Sequence, residues 1–248
     1  MNGIEQIKKH FAKYSEQYTI IGGLACDLLM SDAGLPFRQT ADVDMVIIVE
    51  ALTTEFGKAF WEFIDAGGYS ARQHSSGKPE FYRFVQPTNP DYPKMIELFS
   101  RPQSHVTLNF GTHLMPMHID DEVSSLSAIL LNDDYYSFLL DGRTTADGIS
   151  ILDAEHIIPL KMKAWLDLSE KKNAGLHVDA KDLKKHRLDV FRLYQLLDET
   201  TTIAVPASVK ADINSFLDQM GQIEMNLSDI GIRRPKEAIL DLLRKKYR

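Results

Sequence analysis

The stretch RQTADVDMVII, residues 38–48, places two aspartates, Asp42 and Asp44, at the start of an apolar run. The β-branched residues that follow predict a buried strand. Because side chains alternate across a strand, the two carboxylates share one face. Carboxylates held so close repel each other, and a hard cation such as Mg²⁺ would relieve that repulsion. The simpler alternative is a solvated strand start, and on these residues alone both interpretations stay open.

The segments on either side of this strand favour a binding site. Upstream, YTII predicts a strand that runs into Gly22 and Gly23 and then into a helix over LACDLLM. Glycines there would let a phosphate approach the backbone, although a plain tight turn is the alternative. Downstream, MIELF places Glu97 in the centre of an apolar strand. Glu97 either faces solvent or, if its strand lies beside that of the aspartates, becomes a third acid of a metal site.

The hydrophobic periodicity divides the chain near Asp153. We predict an α/β domain with a mixed sheet over residues 1–153 and an all-helical domain over residues 154–248. In the first domain, EFYRFVQP and KMIELFS predict a hairpin with a long loop. The other extended segments expected there are HLMPMHI, SAILL, YYSFLL and ISIL. In the second, apolar residues at helical spacing predict helices over 154–169, 179–198, 206–219 and 235–247.

Composition narrows the function classes. The chain has 248 residues, one cysteine and a net charge of −7. The single cysteine excludes an intrachain disulfide and makes a cysteine-based metal site implausible. Residues 1–153 carry a net charge of −10, which disfavours general nucleic-acid binding, whereas residues 154–248 carry +3. The sequence shows no apolar run of membrane-spanning length and no signal peptide, so we expect a cytoplasmic protein without a membrane partner.

Two charged residues of the second half stand out on their predicted helices. Lys161 falls near the middle of an apolar stripe, where a charge is unexpected. It either extends past Trp165 to water or neutralises a phosphate. Asp189 lies in a row with Asp182 and His186 along the edge of the next buried stripe. That row is either a solvated flank, or Asp189 positions an acceptor or holds Lys161 by an ion pair.

In combination, IIGGLACDLL, RQTADVDMVI and KMIELF resemble the nucleotidyltransferase fold of the DNA polymerase β superfamily. With PLKMKAWLDL and KKHRLDVFRLYQLL in the second half, the chain is similar to AbiEii/AbiGii toxin-type nucleotidyltransferases. The resemblance implies that Asp42, Asp44 and Glu97 are catalytic and bind two Mg²⁺ ions, with Mn²⁺ as a substitute. The nucleotide-binding residues that it implies are Gly22, Gly23, Arg38, Thr40, Lys161 and Asp189.

The implied reaction moves a nucleoside monophosphate from a nucleoside triphosphate to a hydroxyl group. The acceptor is left open between a tRNA, a protein and a small molecule. The resemblance also implies a role as the toxin of a toxin–antitoxin or phage-defence system, with an antitoxin protein as partner. The alternatives are a nucleotide-binding or regulatory protein without transfer activity, and an interaction module on the same fold.

Overall fold

A computed structural model of the chain describes residues 3–73, 79–99, 109–110, 113–114, 129–130 and 132–248. The α-helices are α1 Ile4–Phe11, α2 Gly22–Asp32, α3 Thr54–Gly67, α4 Asp133–Asp141, α5 Ala154–Asn173, α6 Ala180–Leu193, α7 Ala207–Gln222 and α8 Lys236–Lys246. The strands are β1 Tyr18–Ile21, β2 Asp42–Ile47, β3 Ser70–Gln73, β4 Pro79–Val85, β5 Met95–Phe99, β6 Asn109–Phe110, β7 His113–Leu114, β8 Arg143–Ala146 and β9 Ile149–Leu152. The predicted fold class, α/β with a mixed sheet followed by helices, is confirmed.

The chain forms two compact units. The first contains Met1–Ser31, Arg38–Val123 and Arg143–Leu152, and the second contains Asp32–Phe37, Ser124–Gly142 and Asp153–Arg248. The predicted boundary after Asp153 lies one residue from the start of the longest segment of the second unit. Two shorter segments that precede it in the sequence also lie in that unit.

A seven-stranded mixed sheet, in the order β3-β4-β5-β2-β1-β9-β8, organises the described residues of the first unit. β2 runs parallel to β5 and antiparallel to β1, and β1 runs parallel to β9. β4 and β5 pair antiparallel, which confirms the predicted hairpin. The aspartate strand is therefore interior, with β1 on one side and the Glu97 strand on the other.

Aromatic packing shows which face of this sheet forms the core. Phe11 of α1 and Phe56 of α3 both contact Tyr18 of β1, with ring centroids 5.8 and 6.1 Å apart. Phe60 of α3 contacts Phe84 of β4 at 5.6 Å. Because neighbours in register share a face, Val43 and Met45 of β2 point to this same buried side. The alternate residues of β2, which include both aspartates, point to the opposite face.

The second unit is a helical assembly, and polar side chains cap the starts of α5 and α6. Asp153 accepts a hydrogen bond from the backbone N–H of His156 at the start of α5, and Asp179 accepts one from that of Lys181 before α6. Such caps satisfy N–H groups that lack partners in the first turn of a helix. Trp165 of α5 packs edge-on against Phe216 of α7, with centroids 5.4 Å apart. In the described residues, no helix combines the length and the apolarity that a bilayer crossing requires.

The expectation that YYSFLL is extended is wrong, because these residues lie within α4. The side chain of Asn132 accepts hydrogen bonds from the N–H groups of Asp134 and Tyr135 and so caps the helix. A six-residue apolar run does not distinguish a strand from a buried helix, which explains the error. Ile129 and Leu130 of SAILL are helical as well, and the rest of SAILL lies outside the described residues. Of HLMPMHI, the structure describes only the strand β7.

Candidate functional site

Three carboxylates share the face of the sheet opposite the aromatic core. Asp42 and Asp44 are half-buried on β2, whereas Val43 between them is buried on the other side. Glu97 of β5 lies in register with Asp44, and Met95 lies in register with Asp42. The alternative in which Glu97 joins the aspartate strand is therefore the one that the structure adopts. The sheet brings together the three acids singled out in the sequence.

Arg83 of β4 is a member of this cluster that sequence analysis missed. It lies in register with Glu97 on the side of β5 away from the aspartates. Its Nε donates to Glu97 Oε1 at 2.6 Å, and its Nη2 donates to the same oxygen. A signal existed in the sequence: FYRFV and MIELF each contain one charged residue among apolar and aromatic residues, and the two charges have opposite signs. In an antiparallel hairpin, such charges can face each other.

The predicted phosphate cradle lies against the aspartate strand. Gly22 has φ +67°, and a Cβ placed on it would lie 1.8 Å from Asp44 Oδ2. A Cβ on Gly23 would lie 2.7 Å from Thr40 Oγ1 and 3.4 Å from Arg38 Nη2. Because a side chain at position 22 would overlap Asp44, only glycine fits there. The structure thus places Gly22 against Asp44, and Arg38 and Thr40 against Gly23, and phosphate binding by these residues stays a prediction.

The helix that follows this corner begins earlier than predicted. α2 includes Gly22 and Gly23 themselves rather than beginning at Leu24. The backbone N–H groups of its first turn have no partners within the helix, and such groups favour an anion. The positive φ of Gly22 is the feature that allows the chain to turn directly from β1 into α2.

The candidate ligands for a metal ion are the carboxylates of this face of the sheet. In the part of the chain that the structure describes, no group of three or more His, Cys, Asp or Glu side chains is arranged to hold a metal ion. Asp42 and Asp44 offer the oxygen donors that Mg²⁺ prefers, and one or two carboxylates suffice for that ion. Glu97 is instead engaged by Arg83. The aspartate pair fits a divalent cation, and the three-acid metal set stays a prediction.

In the second unit, Lys161 and Asp189 form a buried ion pair. Lys161 is 5% exposed, and its Nζ lies 3.1 Å from Oδ2 of the fully buried Asp189. Arg192, which sequence analysis also missed, places Nη1 3.3 Å from Asp189 Oδ1 and lies over the ring of Phe37. The idea that Lys161 extends to water is wrong, and the proposed ion pair with Asp189 is confirmed. Nucleotide binding by both residues stays a prediction.

Comparisons with known proteins add two structural likenesses. No protein-family model and no curated protein matches the chain. The crystal structure of an antigenic nucleotidyltransferase-like protein from Paracoccidioides brasiliensis aligns at 16% identity and a TM-score of 0.47, over 99% of this chain and 95% of that one. The solution structure of the antibiotic-resistance factor ANT(2'')-Ia aligns at 13% identity and a TM-score of 0.36, over 90% of this chain and 96% of that one.

Proposed function

We propose that this chain is a metal-dependent nucleotidyltransferase that moves a nucleoside monophosphate from a nucleoside triphosphate to a hydroxyl acceptor. One observation carries the proposal: Gly22, the first glycine of the corner, lies directly against Asp44 of the aspartate strand. A phosphate held at the corner would therefore lie beside a pair of carboxylates. That combination is what transfer of a phosphoryl group from a metal-bound triphosphate requires.

Each residue of the corner has a role in this proposal. The backbone N–H groups at Gly22 and Gly23 would bind phosphate oxygens, with Arg38 and Thr40 beside Gly23 as further donors. Asp42 and Asp44 would hold a divalent cation, Mg²⁺ or Mn²⁺. When bound, that cation supplies positive charge that stabilises the attacking and leaving oxygens of an in-line displacement.

Glu97 would act on the acceptor in this scheme. It lies next to Asp44 on the neighbouring strand, and Arg83 holds its carboxylate at the same face of the sheet. An acceptor hydroxyl bound there would donate its hydrogen bond to Glu97, which orients the oxygen towards the α-phosphate. Glu97 would take up the proton of the hydroxyl as the new P–O bond forms, and the bond between the α- and β-phosphates would break and release pyrophosphate.

The finer assignment follows the AbiEii/AbiGii resemblance. On that basis we propose a tRNA end, a protein hydroxyl or a small-molecule alcohol as acceptor. We also propose a toxin role that an antitoxin protein would control. The charge of −10 over residues 1–153 disfavours broad RNA binding, so a tRNA acceptor would have to use the more basic residues 154–248.

The decisive experiment is a label-transfer assay. Each nucleoside triphosphate, labelled at the α-phosphate, is incubated with the protein, Mg²⁺ and a cell extract. Label is expected to move to RNA, protein or a small molecule, and the double variant D42A/D44A is expected to lose this transfer. The matched control is E55A/E62A, which removes the same charge from two exposed positions of α3. Equal labelling by D42A/D44A and wild type would refute the site.

The alternative without transfer activity makes a different prediction in the same assay. Because Glu97 is paired with Arg83, a chain that binds nucleotide and metal without catalysis is chemically reasonable. Such a protein would retain metal-dependent nucleotide binding, lost in D42A/D44A, but would release no pyrophosphate. An interaction module would bind no nucleotide at all. Measuring binding and pyrophosphate together separates the three possibilities.

A further inference from the structure

We infer that Arg187 of α6 binds a phosphate group, carried either by a nucleotide or by the backbone of a polynucleotide. The kind of ligand rests on the proposed function, whereas the anion site itself is argued from the residues of α6. A guanidinium presents several N–H donors in one plane, and these match the oxygens of a phosphate.

Arg187 lies on the packed side of α6. Val190 and Phe191 follow it by three and four residues, so they lie beside it on the helix surface, and both are fully buried. The Nε atom of Arg187 is also buried. The residue as a whole is half-buried rather than buried, so a ligand from solvent can still reach it. Its side chain is therefore held in place by the protein and remains accessible.

The guanidinium of Arg187 lacks the partner that a partly buried charge needs. Its Nε has no hydrogen-bond partner in the described part of the chain, and burial lowers the pKa of the group. Arg234 shows the contrast, because a hydrogen bond to Glu199 raises its pKa. Arginine stays charged at neutral pH, and a charge removed from water without a partner is costly. A bound anion would supply that partner.

The acids of α6 do not supply it. Asp182 contacts Lys185 at 2.9 Å, and Asp189 contacts Arg192 at 3.3 Å. At 3.6 residues per turn, Arg187 lies about 140° from Asp182 and about 160° from Asp189 around the helix axis. Both carboxylates of the helix therefore point away from Arg187 and are already engaged with other cations. The anion that Arg187 binds has to come from outside α6.

Two exposed lysines extend the positive charge along the helix. Lys184 and Lys181 precede Arg187 by three and six residues, so the three side chains follow one ridge of α6 over about 9 Å. A single phosphate would bind at Arg187, with Lys184 beside it. A polynucleotide backbone would also reach Lys181. This ridge therefore distinguishes the two sources of phosphate.

The first test uses inorganic phosphate in the presence of EDTA, with chloride at equal ionic strength as reference. A ligand that binds only the folded chain raises the urea midpoint of unfolding. We expect phosphate to raise it in the wild type, and by about half as much or less in Arg187→Met. The matched control, Lys185→Met, removes the same charge from the other side of α6 and should respond as the wild type does.

The same measurement without phosphate separates a ligand site from a structural role. Because Arg187→Met removes an unpaired charge, its midpoint in chloride should equal or exceed that of the wild type. A lower midpoint together with an unchanged response to phosphate would show that Arg187 only supports packing, and would overturn the inference. If Arg187→Met does not fold by circular dichroism, Arg187→Gln, which keeps N–H donors without the charge, takes its place with the same expected loss of phosphate binding.

The second test distinguishes the sources of phosphate. A short labelled single-stranded RNA and a labelled non-hydrolysable nucleoside triphosphate analogue are titrated with the protein in EDTA, and fluorescence anisotropy is measured at several salt concentrations. For the ligand that uses Arg187, we expect Arg187→Met to bind about tenfold more weakly. For RNA, the slope of log K against log salt should also fall by about 0.7. Loss of RNA binding in K181M/K184M, with the analogue unaffected, would identify a polynucleotide as the source.

The outcomes separate this inference from the proposed function. Equal binding of phosphate, RNA and the analogue by the wild type and Arg187→Met would overturn the site at Arg187 and leave the transferase proposal standing. Absence of label transfer by the wild type would overturn the transferase proposal and leave the phosphate site. D42A/D44A is expected to keep the response to inorganic phosphate, because this response is measured without metal and on α6.

Discussion

Gly22 is important both for the backbone conformation of the turn into α2 and for the candidate site. Its φ of +67° favours glycine, and a Cβ there would lie 1.8 Å from Asp44 Oδ2. Gly22→Ala therefore adds a left-handed backbone cost of about 1–2 kcal/mol and a steric cost of about 1–3 kcal/mol. The carboxylate of Asp44 has to move as well. We expect lower stability in urea unfolding together with loss of metal-dependent nucleotide binding.

A matched control separates the two costs. Gly34 has φ +69°, and a Cβ placed on it would meet no atom within 4 Å. Gly34→Ala should lose only the backbone contribution of about 1–2 kcal/mol and should bind nucleotide as the wild type does. Equal nucleotide binding by the two variants would show that contact between Gly22 and Asp44 is irrelevant to the site.

At the same scale, some site residues were predictable and others were not. Asp42, Asp44 and Gly22 can be recognised because alternation along a strand and a glycine pair before a helix are local patterns. Arg83 was missed because its partner lies on another strand, and Arg192 was missed although its partner Asp189 lies three residues away on the same helix. Arg83 needs the register of a hairpin, whereas the burial of Asp189 beside Arg192 needs the packing of α6 on the helix that carries Lys161.

At the scale of elements, the buried charged residues of α5 and α6 predict which of two substitutions destabilises the chain more. Asp189 is fully buried and contacts both Lys161 and Arg192. Asp189→Ala leaves two cations without this carboxylate and should lower the free energy of unfolding by about 3–5 kcal/mol. Lys161→Met leaves Asp189 with Arg192 and should cost less, about 1–3 kcal/mol. Urea unfolding followed by circular dichroism measures both.

The control for the Lys161–Asp189 pair is a second ion pair, on α6. Lys185 contacts Asp182 at 2.9 Å, but both side chains are substantially exposed. Lys185→Met should therefore change the free energy of unfolding by no more than about 1 kcal/mol. If Lys161→Met proved as costly as Asp189→Ala, the carboxylate would not be the shared partner that stabilises the cluster.

Prediction of whole elements succeeded where the periodicity was long or the strand signal strong. β1, β2 and the β4–β5 hairpin follow from β-branched and alternating residues, and the helices α5, α6, α7 and α8 follow from apolar spacing. The short apolar run of α4 was misassigned because its length fits a strand as well as a helix. β8, RTTA, has no buried residue, so its pairing with β9 had no hydrophobic signal.

At the scale of the whole molecule, the distribution of charge along the sequence and the contacts of the folded chain divide it at different places. The charge balance changes sign near residue 153. The compact units, however, also place Asp32–Phe37 and Ser124–Gly142 with the helices. A pattern read along the sequence divides the chain into contiguous stretches. It therefore does not detect a unit that is built from several separate segments. Such exchange depends on tertiary packing, which local periodicity does not encode.

Both units contain buried tyrosines. Unfolding at alkaline pH therefore tests the packing of both cores. Burial raises the pKa of Tyr18 from 10.0 to about 12, and it also raises the pKa of Tyr69, Tyr135 and Tyr247. The folded chain therefore holds these protons more tightly than the unfolded chain does. Their contribution to stability is complete below pH 10, the unfolded value, and is lost as the pH rises through the folded values.

For Tyr18 the loss amounts to about 1.4 kcal/mol per pH unit between pH 10 and pH 12. We expect the free energy of unfolding of Tyr18→Phe to fall less steeply with pH in this range. The slope should be smaller by up to the amount given for Tyr18. Urea unfolding at stepped pH, together with tyrosinate absorbance, measures both quantities. Burial also predicts that tyrosinate from the buried rings forms as the chain unfolds. Ionisation of all nine tyrosines near pH 10, with the circular dichroism unchanged, would contradict the packing described for both cores.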